Sequence, residues 1–175
     1  MNAALRPAST DYGSWYAGYV ELVPEDDILS ALESQSAKTQ KLLASLDEQK
    51  AATRYAEGKW SVKEVLGHMV DAERVMSYRA LAFARGETQE LPGFDENEYV
   101  RNAGFDAWKL GDLAEQYALV RRSTIVLFHN FPEEAWSRRG VASENPVTVA
   151  ALAWIIVGHE RHHTNVLRER YRVGG

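Results

Sequence analysis

The chain has 175 residues, with 20 Lys and Arg against 25 Asp and Glu, a formal net charge of −5, five His and no Cys. The missing Cys excludes disulfides, thiolate zinc sites, iron–sulfur clusters and a protein thiol nucleophile. The acidic balance argues against a nucleic-acid-binding face.

A composition that is 45% hydrophobic and 26% charged is that of an ordinary globular domain, and a chain of this length reads as one domain. Residues 1–11 are expected to form an N-terminal tail, 12–172 a single helical-bundle domain and 173–175 a C-terminal tail. The longest run without charge or histidine is Asn145 to Gly158, fourteen residues. That is short of the roughly 18–20 that span a bilayer. Met1 to Ser9 has one Arg and no apolar core, so it does not read as a signal peptide. These features predict a cytoplasmic protein with no membrane or nucleic-acid partner.

Pro24, Pro92, Pro132 and Pro146 break the chain between stretches of helical periodicity. The spacing predicts a first helix over Glu25–Asp47, with Ile28, Leu29, Leu32, Leu42, Leu43 and Leu46 on one face and Thr39 bridging a polar gap. A second helix is predicted over Ser61–Arg85. Ser61 and Glu64 form a capping box there, and Trp60 and Val65 occupy staple positions. The linker Gly86–Phe105 is long, with a short helical turn expected at Glu96–Arg101, and reads as a crossover. A third helix is predicted over Ala107–Asn130, carrying Leu110, Leu113, Tyr117, Val120, Thr124, Leu127 and Phe128. A fourth is predicted over Thr148–Tyr171, with Thr148 as N-cap. Four amphipathic helices of matched length give an all-α fold, a four-helix bundle with a long connection between the second and third helices.

The fourth helix contains His159-Glu160-Arg161-His162-His163. Its apolar register runs 149, 152, 156, 159, 163, 166, so His159 and His163 fall on the inward stripe, one turn apart. On the second helix His68 also faces inward, with Val65, Ala72 and Val75 at helical spacing. Inward imidazoles need partners. Three of them from two helices could hold a metal ion with positions left open, or could be satisfied core residues. Imidazole suits Zn, Ni, Fe or Cu. The same stretch matches H-E-x-x-H, the zinc-protease helix. Only twelve residues follow His163, and Val166 and Glu169 stand where the extended pattern needs Gly and His. The match therefore reads as coincidental, with Glu160 beside the site or on the solvent face. His162 points about 100° away from His163. His129 suits the negative end of the third helix's dipole. Glu64 is explained by capping, and Asp71 could orient His68, act as a base, or lie on a solvated flank. Trp60, Tyr99 and Trp154 are candidates for a pocket mouth or for core. Arg138 and Arg139 could bind an anion.

Four segments carry a family resemblance, the first being Tyr19-Val20-Glu21-Leu22-Val23-Pro24, which looks like an N-terminal lead-in. Lys59-Trp60-Ser61-Val62-Lys63-Glu64-Val65-Leu66-Gly67-His68, followed by Glu73-Arg74-Val75 and Tyr78-Arg79-Ala80-Leu81, resembles the second helix of DinB-like (DinB/YfiT superfamily) proteins. Leu91-Pro92-Gly93-Phe94-Asp95 resembles the loop that follows it. Gly158-His159-Glu160 through His163, ending Arg168-Glu169-Arg170-Tyr171, resembles the last helix. The resemblance implies a bundle holding a divalent metal (Zn, Ni or Fe) on His68, His159 and His163. It also implies a metal-dependent transferase that uses a low-molecular-weight thiol such as bacillithiol or mycothiol. A metal-dependent hydrolase, or a metal-stabilised stress or interaction module acting as a homodimer, are the alternatives. Under the leading reading the reactive sulfur must arrive with a small molecule, because the chain has none to offer.

Overall fold

The computed structural model describes residues 6–174. Its helices are α1 (Ala17–Glu21), α2 (Ile28–Ala44), α3 (Glu48–Ala51), α4 (Val62–Ala84), α5 (Glu96–Ala103), α6 (Leu110–His129) and α7 (Val149–Glu169). The strands β1 (Arg139–Ala142) and β2 (Asn145–Thr148) form an antiparallel hairpin with Arg139 opposite Thr148. The four predicted helices are α2, α4, α6 and α7, and the expected turn at Glu96 is α5. Residues 1–5 of the predicted N-terminal tail, and Gly175 of the C-terminal one, lie outside the described residues. Within the rest of those segments, Arg6 donates to the Val23 carbonyl and to that of Val20 at 3.1 Å, and Val173 is buried.

Side-chain caps set most helix starts. Asp27 caps α2 by accepting from the Leu29 and Ser30 amides. Ser61 and Glu64 form the expected capping box on α4. The Thr148 hydroxyl accepts from the Ala151 amide to start α7. Helix α6 starts three residues later than its periodicity suggests. Gly104 ends α5 in the left-handed region (φ 64), and Phe105–Ala107 then form a 3-10 turn. With no cap of its own, α6 borrows one from α3: the Leu110 amide donates to Glu48 Oε1 at 2.7 Å.

Helix α4 packs against α6 and α7, and α2 packs against the same two, so α2 and α4 sit across a diagonal. Two apolar clusters fill the ends of the bundle. One holds Leu32, Met76, Ile125, Phe128 and Trp154; the other holds Leu42, Leu66, Met69, Tyr117 and Leu167. The order of clusters along each helix gives its direction. Helices α2 and α7 run from the first cluster to the second, and α4 and α6 run back. Neighbours α4 and α6 are therefore parallel, and the linker that carries α5 must return the length of the bundle. This is the crossover that its length suggested.

Between the clusters each long helix contributes buried polar residues: Gln35 and Thr39 from α2, Glu73 from α4, Arg121 from α6 and Glu160 from α7. Arg121, with 0% exposure, makes a bidentate pair with Glu73 at 2.8 Å through Nε and Nη2, and Nη2 also reaches Glu160. The Tyr117 hydroxyl donates to Glu160 Oε1 at 2.7 Å, and Thr39 donates to the same oxygen. The polar gap around Thr39 in the first predicted helix is thus where α2 meets this layer.

Candidate functional site

The three inward histidines converge. His159 Nε2 lies 3.0 Å from His68 Nε2 and 3.2 Å from His163 Nε2. An Nε2 carries either one N–H or one lone pair, so hydrogen bonding serves poorly a nitrogen that meets two others. Nitrogens bound at about 2.0–2.1 Å to one ion would lie about 3 Å apart, the spacing found here. His68, His159 and His163 could therefore hold a metal ion, and they form the one group of this kind among the described residues.

Their electrostatics fit that use. Burial pushes the His68 ring down to about 4, helped by nearby His162. Burial, with His68 and His162 as neighbours, pushes His163 down to about 3. Burial, with the other three histidines, holds His159 well below its ordinary value. All three rings are neutral at pH 7, the state in which imidazole ligates. Aromatic rings fix their orientation: Trp60 packs on His68 with ring centroids 4.9 Å apart, and Tyr19 meets His159 edge-on at 5.4 Å. Tyr19 reaches that place because α1 lies directly on Gly158, where a Cβ would overlap the Tyr19 carbonyl.

A cleft of about 360 Å³ opens over the histidines. Its floor is one face of α4 (His68, Ala72, Met76, Arg79), and its walls are Trp15, Tyr16, Tyr19, Trp60 and Phe94. A second cleft of about 340 Å³, lined by Tyr55, Asn97 and His162, reaches the same His163 and Trp60 from another side.

Several other candidates fall elsewhere. Glu160 is neither beside the histidines' open side nor in solvent. It is 3% exposed and locked by Arg121, Tyr117 and Thr39. One position around the helix from His159, it meets the polar layer. His162 is exposed and packs edge-on to Tyr19 without joining the three. Asp71 pairs with Arg74 at 3.5 Å rather than orienting His68. His129 pairs with Glu33 at 2.9 Å. Arg139 pairs with Asp11, and Arg138 donates to the Ala84 carbonyl, so both serve the fold. Trp60 lines both clefts, whereas Trp154 is core and Tyr99 packs on Phe94. Helical periodicity assigns no site role to Arg79 or to the Arg121 cluster. Their signal was a charged residue at a position flanking an apolar stripe.

The family model described as the DinB superfamily matches residues 31–167. The chain belongs to the DinB superfamily. Among solved structures it is similar to YfiT from Bacillus subtilis, described as a probable metal-dependent hydrolase with an unusual four-helix bundle topology. That match has 18% identity and a TM-score of 0.69, and covers 82% of this chain and 85% of that one. It is also similar to a mycothiol-dependent maleylpyruvate isomerase, at 15% identity and a TM-score of 0.67, over 83% of this chain and 61% of that one. These likenesses carry the four-helix fold. No curated protein matches. No helix among the described residues is long and apolar enough to cross a membrane.

Proposed function

We propose that this DinB-superfamily protein binds one divalent ion (Zn, Ni or Fe) through His68, His159 and His163, and transfers a low-molecular-weight thiol to an electrophilic small molecule. The ion, when bound, supplies the Lewis acidity that lets a thiol lose its proton near neutral pH. The chain's own residues prepare that chemistry. The imidazoles stay neutral because they are buried. Trp60 and Tyr19 hold two of the rings and keep bulk water from them. Tyr19 also lines the cleft, and its hydroxyl stays protonated, pushed up by burial and then by Glu96, so it offers an O–H to a bound reactant.

The observation that favours transfer is the meeting of two clefts at His163 and Trp60, room for two reactants rather than one. A metal-dependent hydrolase, with water as the second reactant, is the other reading, supported by the description of YfiT.

Elemental analysis of the purified protein, paired with a screen of small thiols, tests the proposal. About one ion per chain is expected, falling below a tenth of that in His68→Ala and His163→Ala, with thiol binding that a chelator abolishes. Full occupancy in His68→Ala would overturn the ligand set. A loaded protein that binds no thiol but cleaves esters or amides would establish the hydrolase instead. Unfolding on chelation without binding of any small molecule would leave the ion a structural role.

A further inference from the structure

We infer that Arg79 forms an anion subsite at the far end of the metal-side cleft, so that the small molecule bound there carries a carboxylate. This inference names a substrate class for the site proposed above and rests on that reading.

Arg79 is only 2% exposed, yet it makes no ion pair among the described residues. The chain's other deeply buried arginine, Arg121, is held by two carboxylates. Arg79 has only neutral oxygens. Its Nη2 donates to the Pro92 carbonyl at 2.8 Å and to Ser143 Oγ at 3.0 Å, while Nε and Nη1 make no hydrogen bond within the described chain. A buried cation without a counter-charge is costly, and a guanidinium presents a planar fork that matches a carboxylate.

The side chain lines the cleft together with Ser143. Ser143 and Glu144 both have positive φ (53 and 63) in the two-residue turn between β1 and β2, where Asn-Gly is the low-strain choice. A strained serine whose hydroxyl meets Arg79 in the cleft wall suits a binding role. Lining the floor between the two ends are Ala72 and Met76. Arg79 is eleven residues beyond His68 on α4, three turns and about 16 Å along the axis. An elongated ligand with an apolar or aromatic body could thus rest its acid on Arg79 and extend toward the histidines. The one acidic side chain lining the cleft, Glu96, is exposed and forms no ion pair with Arg79. With the divalent ion bound and three neutral histidines, the lining charges sum to a positive value that favours an anion.

The test titrates the zinc-loaded, full-length protein with 4-phenylbutyrate and with its uncharged amide, 4-phenylbutyramide. Wild type is expected to bind the carboxylate about tenfold more tightly than the amide, and Arg79→Gln to bind the two within about twofold with unchanged zinc content. The same preference persists in chelator-treated wild type, because Arg79 supplies it. Equal binding of both probes by wild type overturns the inference. So does a preference retained in Arg79→Gln, since Arg79 then only holds Pro92 and Ser143. A preference that vanishes on chelation but survives Arg79→Gln places the acid on the ion, and also overturns it. If Arg79→Gln does not fold, the wild-type Arg79 Nε–H resonance, assigned through Arg79→Lys, must shift with the carboxylate and not with the amide. An unmoved resonance overturns the inference. Zinc content, measured on the same samples, separates failure of the metal reading from failure of this one.

Discussion

At the scale of single residues, burial decides what each polar group becomes. His68, His159 and His163 were legible because helical register placed them on apolar stripes, and an imidazole there needs a partner. Glu160 was not legible. Periodicity places a side chain on a face but does not say which neighbouring helix supplies its counter-charge, and Arg121 lies 39 residues away in sequence. The same burial makes the metal-free protein sensitive to acid. In the unfolded chain imidazole titrates near 6.5, whereas in the folded chain His68 and His163 are pushed down to about 4 and 3. Below about pH 6.5 the unfolded state therefore binds more protons than the folded one. This contribution to stability is complete above pH 6.5 and is lost as pH falls toward 4 for His68 and toward 3 for His163. Urea midpoints of chelated protein should drop steadily between pH 7 and pH 5. A double variant, His68→Gln with His163→Gln, should show a flatter dependence over that interval. Equal slopes would mean that these rings do not carry the effect.

At the scale of elements, what the sequence encodes locally was readable and what it encodes through contact was not. The starts of α4 and α7 follow from Ser61 and Thr148, because a cap is written within four residues. Five-residue α1 has no such periodicity and exists because it packs on α7. The β1–β2 hairpin was hidden because Ser143-Glu144 is not a turn-forming pair, and Arg79 and Glu90 hold that turn from outside. Gly158 is the residue that lets α1 approach α7, the helix that carries His159 and His163. Gly158→Ala would drive a methyl group into the Tyr19 carbonyl. Overpacking of this kind costs about 1–3 kcal/mol, which for a chain of this size lowers the melting temperature by very roughly 2–12 °C. The displaced Tyr19 would leave the cleft wall. On the proposed metal reading, Gly158→Ala is therefore expected to keep the ion affinity of His68, His159 and His163, which lie on α4 and α7, while losing affinity for cleft ligands. Loss of ion and ligand together, at unchanged melting temperature, would contradict this division of labour.

For the whole molecule, the arrangement of two apolar clusters about a charged layer explains why a chain with an ordinary core carries so many buried polar groups. Arg121 and its partners tie together α2, α4, α6 and α7, the four helices whose relative positions bring His68 to His159 and His163. Burial alone would weaken the charge on Arg121, but Glu73 and then Glu160 overcome it and hold the guanidinium firmly protonated. Burial followed by Glu160 likewise keeps Tyr117 protonated as a donor. Removing one member of such a cluster leaves uncompensated charge in the core, which costs about 3–5 kcal/mol. Arg121→Met is therefore expected to be strongly destabilised, with two acidic side chains stranded. Replacing all three charges, as Glu73→Leu, Arg121→Met and Glu160→Leu together, removes the desolvation cost along with the attraction. The triple variant should recover most of the lost stability in urea unfolding. The informative measurement is metal affinity in that recovered protein. If the charged layer only fills space, the triple variant binds its ion as wild type does. If the layer sets the rotation of α7, through Glu160 beside His159, then a stable triple variant binds metal more weakly, by about 10–100-fold, the range seen when groups that orient metal ligands are lost. We expect the second outcome, because one step along α7 separates the locked carboxylate from His159, the proposed ligand whose Nε2 must meet two other nitrogens at about 3 Å.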